Sequence, residues 1–346
     1  MNIDMDYIVD ILKKIATTPS PSGDTRKVMD IVENEFKKFN VSTKRTNKGA
    51  LIATINGNND SNQKTISAHV DTLGAMVKEI KSSGTLSITN IGGFIGQSIE
   101  GSNCTIESFS GKYYSGTVQT IKPSVHIHND AGTLERKIEN YEVIIDEKVF
   151  SKEDVKNLGI GVGDFIFIDP KTIVTDSGFI KSRHLDDKAS VAIILGAVKY
   201  IYDNNINLKY TTNFFISNYE EVGHGAASSI PPNTVEFLSV DMGAPGEGQN
   251  STEYAVCICA KDSSGPYDLE FRKKLVNICK DKNIDYRVDV YPYYGSDASA
   301  ALSAGWDIKA GLIGPGIFAS HAYERTHKDS ILNTTKLLIE YINHQN

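Results

Sequence analysis

Histidine and carboxylate residues recur along this chain in a fixed order. His69 and Asp71 stand in AHVDTLG, Asp186 and Asp187 in HLDDKAS, Glu220 and Glu221 in NYEEVGHGA, Asp241 in SVDMG, and His321 and His327 in ASHAYERTH. Residues two apart on an extended strand project to one side, so His69 and Asp71 could be a metal-bound imidazole and a carboxylate that orients it. Taken singly, each motif has an ordinary explanation. A lone strand histidine is commonly a hydrogen-bonded core residue, and two aspartates before a helix commonly cap its free N–H groups. Glu220 and Glu221 are harder to dismiss, because a buried carboxylate needs a proton, a partner or a cation. The set as a whole suits two hard or borderline divalent ions, with one bridging carboxylate and a carboxylate plus an imidazole on each side. A further carboxylate, held off the metals, would handle the proton of an attacking water.

Such a set needs elements that carry it to one place. Ile8, Ile11, Leu12 and Ile15, then Val28, Ile31, Val32, Phe36 and Phe39, recur at helical spacing on either side of PSPSG. LIATI at 51–55 and TISAHV at 65–70 read as strands. From 78 to 168 β-branched residues alternate with polar ones and Gly, Ser and Thr become frequent; only SKEDVKNLG at 151–159 looks helical. Helix and strand then alternate again. Val191, Ile194, Leu195 and Val198 mark a helix just after Asp187, and FFISN, FLSVDM, YAVCICA and VDVYPYY read as strands. RKKLVNICK reads as a helix, and a last helix begins near Lys336. The expected fold class is α/β, a mostly parallel central sheet flanked by helices with an inserted small β-rich domain. The expected domains are a discontinuous catalytic one, 1–77 with 169–346, and an insert at 78–168. The acids and histidines fall at predicted strand ends, where open α/β sheets bind ligands.

Composition narrows the partners. Lys plus Arg is 36 and Asp plus Glu is 43, a formal charge of 36 − 43 = −7. No long basic stretch offsets that balance, which argues against a nucleic-acid partner. The first ten residues lack a basic and apolar leader, and the most apolar stretch, Val191 to Val198, is too short to span a bilayer. A cytoplasmic protein with no membrane partner is expected, with its four cysteines reduced. Cys257 and Cys259 read as buried strand positions, because nothing nearby completes a CxC metal site. His126 and His128 could share a strand face, but they lie in the insert and read as surface or interface residues. His184 and His224 are ambiguous between site and scaffold. Tyr291, Tyr293 and Tyr294 read as core or interface, with a substrate wall as the minority reading.

The order of motifs resembles that of the tetrahedral aminopeptidase family of dinuclear metallopeptidases. That family includes glutamyl and deblocking aminopeptidases, and some members have carried cellulase- or endoglucanase-like names. The match runs nearly end to end through PSG at 21–23, AHVD, LDD, the EEVG turn followed by GA, the strand-end Asp241, and GSDA at 295–298. The combination is specific, although GSDA alone would mean little. In that family a β-rich dimerisation module is inserted into the catalytic domain.

The resemblance implies roles. His69, Asp186 and Asp241 would hold one divalent ion and Asp186, Glu221 and His321 the other, zinc or cobalt with manganese as the alternative. Glu220 would be the general base toward a metal-activated water, and Asp71 would orient His69. The implied reaction is removal of amino-terminal residues from short peptides. The implied assembly is a homo-oligomer, dimer-based and up to a dodecamer. Three departures stand out: Thr72 where Glu is common, Lys188 where Arg is common, and ASHAYERTH in place of an R-Y-x-H context. The last leaves His321 and His327 as rivals, with His321 preferred for its distance to the final helix. An inactive assembly or binding protein of the same fold, and more weakly a glycoside hydrolase, are the competing functions. The preferred amino-terminal residue stays open.

Overall fold

The computed structural model describes residues 1–344. It divides into two compact units, Met1–Asp71 together with the chain from Lys171 onward, and Thr72–Pro170 between them.

In the first unit eight strands form one mixed sheet. Their spatial order is Ser42–Arg45, Leu51–Ile55, Tyr210–Ser217, Asn59–His69, Thr234–Val240, Lys309–Pro315, Val256–Lys261 and Tyr286–Val290. The four central strands, from Tyr210–Ser217 to Lys309–Pro315, run parallel, as expected. The flanks introduce antiparallel pairs, which makes the sheet mixed as a whole. The central strands are buried along most of their length, as parallel strands covered on both faces must be. Helix Met5–Ala16 starts on the Asp4 side chain, which accepts the Tyr7 N–H at 3.0 Å, and packs its Ile8, Ile11, Leu12 and Ile15 stripe inward. It lies against helix Leu185–Asp203, which in turn packs on helix Lys328–Asn343. Gly196 permits the first of these contacts, because a Cβ there would sit 2.5 Å from the Ile8 side chain.

Parallel register fixes where strand ends fall. His69 pairs with Ser217 and Val240 with Ile313, so the carboxyl ends of all four central strands open at one edge. A separate three-stranded antiparallel sheet, Ile173–Val174, Phe179–Ser182 and Glu324–His327, sets Ser182 opposite Glu324 and Phe179 opposite His327. It draws the segment entering Asp186 beside the segment leaving His321.

The last helix begins at Lys328, not near Lys336. The His327 side chain caps it, its Nδ1 accepting the Asp329 N–H at 3.1 Å, and the polar first turns hid that start from apolar periodicity. Cys257 and Cys259 are both buried in one strand, and no cysteine forms a disulfide.

The second unit is a closed six-stranded barrel in the order Gly74–Ile80, Leu86–Ile91, Tyr141–Ile145, Tyr113–Thr120, Asn103–Glu107, Phe165–Ile168. Its core includes Val77, Ile88, Ile106, Val118, Val143 and Ile166. The short helix Lys152–Asn157 starts on Ser151, which accepts the Asp154 N–H. Strand Gly74–Ile80 lies wholly in this unit, so the junction comes before residue 78. His126 sits in an exposed turn and His128, half-buried, just beyond it, neither on a strand.

Gly314 stands where the central sheet can least accept a side chain, since a Cβ would lie 1.6 Å from the Asp241 carbonyl oxygen. Gly314→Ala is expected to cost roughly 1–3 kcal/mol or more by overpacking, seen as a lower thermal midpoint. Gly246→Ala, with no atom near its Cβ, should stay within about 0.5 kcal/mol of the parent.

Candidate metal centre

His69 ends its strand almost fully buried. Its Nδ1 lies 2.9 Å from the Asp71 carbonyl oxygen, which can only accept, so Nδ1 carries the proton and Nε2 is turned the other way. That Nε2 faces Asp186 Oδ1 at 3.4 Å and Glu220 Oε2 at 3.6 Å. The second Asp186 oxygen, Oδ2, lies 3.4 Å from His321 Nε2 and accepts from Ser320 Oγ at 3.0 Å. Glu221 Oε2 also lies 3.4 Å from His321 Nε2. One carboxylate therefore presents its two oxygens to two different imidazoles. Two groups gather ligand atoms closely enough to hold an ion, His69 with Asp186 and Glu221, and His69 with Asp187 and Asp241.

Asp71, expected to orient His69, does so more closely through its carbonyl than through its carboxylate, which stands 3.5 Å from Nδ1. The carboxylate has another task. It accepts from Ser22 Oγ and from the backbone N–H groups of Glu220 at 3.2 Å and Glu221 at 3.3 Å. Asp297, from GSDA, ties down the far side of the same turn. It accepts from Ser217 Oγ at 2.6 Å and from the Ala226 N–H at 2.9 Å. Lys48 Nζ adds a bond to the Gly225 carbonyl at 2.8 Å. Glu324 does the same for the other half of the site, accepting the Asp186 N–H at 3.1 Å and the His321 N–H at 3.0 Å. His184, Tyr219, Ala319 and His321, all beside or among these residues, have positive φ near +60°. Such backbone is costly for side chains other than glycine and persists only where surroundings enforce it.

The electrostatics are those of too many acids for the cations among the side chains. Burial, then Asp186, pushes Glu221 up to about 8 and Asp241 up to about 7. Burial and the Asp241 charge hold Asp187 well above the carboxylate range, and Glu220 is likewise raised by burial, which the His69 imidazole only partly offsets. Asp186 goes the other way, because His321 and His69 together overcome its burial. Burial opposes the His69 imidazolium, but Asp186, Asp71 and Glu220 outweigh it. Glu221 Oε1 is buried without a hydrogen-bond partner. An orphaned buried oxygen, like charges within a few ångströms and imidazole nitrogens aimed at carboxylates form a donor set that divalent cations fit.

Among the sequence candidates, His69, Asp186, Glu220, Glu221, Asp241 and His321 meet here, and His327 does not. His327 Nε2 lies 2.9 Å from the Ser177 carbonyl oxygen, and the ring packs between Phe179 and Tyr254. The aspartate pair is no helix cap: both residues are non-helical, joined by a cis peptide, and Asp187 Oδ2 accepts the His69 N–H. Lys188 is buried, donates to the Thr18 carbonyl at 2.8 Å, and is pushed down to about 7 by that burial. His224 stacks on Tyr219 with centroids 5.2 Å apart. Tyr291 is buried in a core cluster with Tyr294 packed against it, as expected, while Tyr293 is exposed; all three also line the cavity beside the centre. Glu324 and Ser320 were missed, since a single glutamate and serine in a polar segment have no periodicity to mark them. Ser22 and Asp297 were visible only as parts of PSG and GSDA.

His321→Ala is expected to lose bound metal while His327→Ala retains it, as measured by elemental analysis of purified protein; loss only in the latter would reverse the assignment. Glu324→Ala should weaken metal binding about 10–100-fold, as loss of a group that orients ligands does, and Glu324→Gln, which keeps one acceptor, should weaken it less.

Comparison with known proteins agrees with the resemblance. The profile of the M42 glutamyl aminopeptidases matches residues 49–337. YhfE of Bacillus subtilis (strain 168), assigned by name as an aminopeptidase, is 54% identical over 334 residues, 96% of each chain. The fold matches the TET1 peptidase of Pyrococcus horikoshii, which can assemble into a tetrahedron or a large octahedral shell, at TM-score 0.85 and 22% identity, covering 98% of this chain and 100% of that one. It also matches a Thermotoga maritima protein named an endoglucanase, at TM-score 0.75 and 18% identity over 96% of both chains. By profile and by sequence, this chain belongs to the M42 glutamyl aminopeptidase family of peptidases.

Proposed function

We propose that the chain is a dinuclear metal-dependent aminopeptidase that removes amino-terminal residues from short peptides, with Glu220 as general base. The observation that carries this reading is Asp186, whose two oxygens each stand 3.4 Å from a different imidazole. His69, Asp186 and Asp241 would hold one ion and Asp186, Glu221 and His321 the other. Bound divalent ions would bring the pKa of water from ~15.7 to ~7 and offer positive charge to the carbonyl oxygen as it becomes an oxyanion.

The chain's own residues do the rest. Glu220 borders the cavity, takes the proton of the attacking water and returns it to the departing amine. Asp71 sets the spacing of Glu220 and Glu221 by accepting both of their N–H groups. Glu324 holds Asp186 and His321 at fixed separation through their backbones. The free α-amino group of a peptide would bind beside one of the ions, which favours cleavage from the amino end. Glycoside hydrolysis, raised by the name of the Thermotoga protein, fits less well. Two imidazoles wedged among the carboxylates have no place in a two-carboxylate mechanism.

A homo-oligomer, dimer-based and up to a dodecamer, belongs to the same reading; the assemblies of the Pyrococcus horikoshii relative support it. So does a cytoplasmic setting, which suits four buried cysteines without disulfides. Among the described residues no helix is long and apolar enough to cross a membrane.

Chelation is expected to abolish aminopeptidase activity, and added zinc, cobalt or manganese to restore it; full activity in metal-free protein would sink the mechanism. Glu220→Gln should keep two ions and lose about 10²–10⁴-fold in kcat. Metal loss in that variant would mean that the two glutamates exchange roles.

A further inference from the structure

We infer that the cleft is built for peptides whose first side chain is neutral and apolar, and that it discriminates against acidic and basic first residues. The inference rests on the aminopeptidase reading above and names the substrate class of that site.

The cavity has a volume of about 650 Å³ and holds both the candidate centre and a wall beside it. Met242, Ala244, Pro245, Tyr291, Tyr293 and Tyr294 make most of that wall. A peptide whose first carbonyl lies at the centre can lay its first side chain against these residues. The charged groups lining the cavity are Asp186, Glu220, Glu221, Asp241 and His321, all belonging to the centre; among the described lining residues none is Lys or Arg.

The polar atoms of the wall are largely committed elsewhere. Tyr294 Oη donates to the Met242 carbonyl at 2.8 Å, and Tyr291 Oη shares a hydrogen bond with Ser251 Oγ at 2.7 Å. Gln249, oriented to suit its neighbours, donates its amide nitrogen to both Asp289 oxygens, at 2.9 and 3.2 Å, and to the Val290 carbonyl at 2.9 Å. Ser320 Oγ is spent on Asp186. An acidic first side chain would meet no guanidinium or ammonium and few free donors, so it would lose hydration without replacement. A basic one would find no carboxylate on the wall beyond those of the centre itself. An apolar side chain loses nothing by the same transfer and gains the burial of its surface. The family's descriptive name mentions glutamate; this wall does not accommodate it.

Tyr293, at 97% exposure, stands at the rim and tolerates replacement without disturbing the core. The test uses the full chain loaded in turn with zinc, cobalt and manganese, against p-nitroanilides of Leu, Met, Phe, Ala, Glu, Asp, Lys and Arg. The expected kcat/KM for Leu, Met or Phe exceeds that for Glu and Lys by about 100-fold, the scale on which an apolar pocket rejects a polar substitute. Tyr293→Arg should raise the Glu to Leu ratio about 2–5-fold, the scale of a solvent-exposed counter-charge. Hydrolysis with Glu or Lys equal to or above Leu overturns the inference and leaves the aminopeptidase standing. An unchanged ratio in Tyr293→Arg shows that this wall does not read the first side chain. Hydrolysis of none of the eight removes both.

Discussion

Carboxylates gathered out of water repel one another, and the catalytic unit depends on making that gathering tolerable. Burial and neighbouring charge raise the proton affinity of Asp187, Glu220, Glu221 and Asp241, while the imidazoles of His321 and His69 hold that of Asp186 down. A cluster of that kind does not hold its shape by itself. It is held by donors whose partners are fixed in the scaffold, and by cations that the donor set fits.

The holding is done from the backbone. Asp71 accepts two successive N–H groups at the glutamate turn, and Asp297 and Lys48 pin the turn's far side. Glu324 repeats the device where Asp186 and His321 meet. Each is an acid or base one step removed from the centre, and each acts on the chain that carries a ligand candidate. Positive φ at His184, Tyr219, Ala319 and His321 marks where the backbone bends to aim those side chains. Strain of this kind collects at sites because the surroundings over-determine it.

The sheet sets the stage for both devices. Four parallel strands in register put His69, the glutamate turn and Asp241 on one edge, and the small antiparallel sheet brings the loop with His321 across to Asp186. Gly314 allows the strand carrying Asp241 to lie close to its neighbour. The wall of Met242, Ala244 and the tyrosines lies at the same edge, so the candidate centre and that wall share one cavity.

Much of this was legible in the residues alone. Helical and strand periodicity marked the α/β class and the β-rich insert, because burial on one face or two leaves a period in the sequence. The order of H-x-D, DD, EE, D and a late His marked the family, because ligand types must sit at strand ends. Other features left no local pattern. Whether His321 or His327 faces Asp186 depends on which strand Glu324–His327 pairs with, a contact across more than a hundred residues. That Asp71 latches a turn 149 residues away, and that Glu324 orders two backbones, are facts of hydrogen bonding at long separation, to which neither composition nor periodicity is sensitive. The start of the last helix escaped for a related reason: it is set by a histidine side chain acting as a cap. Residue type and order thus determined which chemistry the chain could carry, while tertiary pairing alone decided which of those atoms meet.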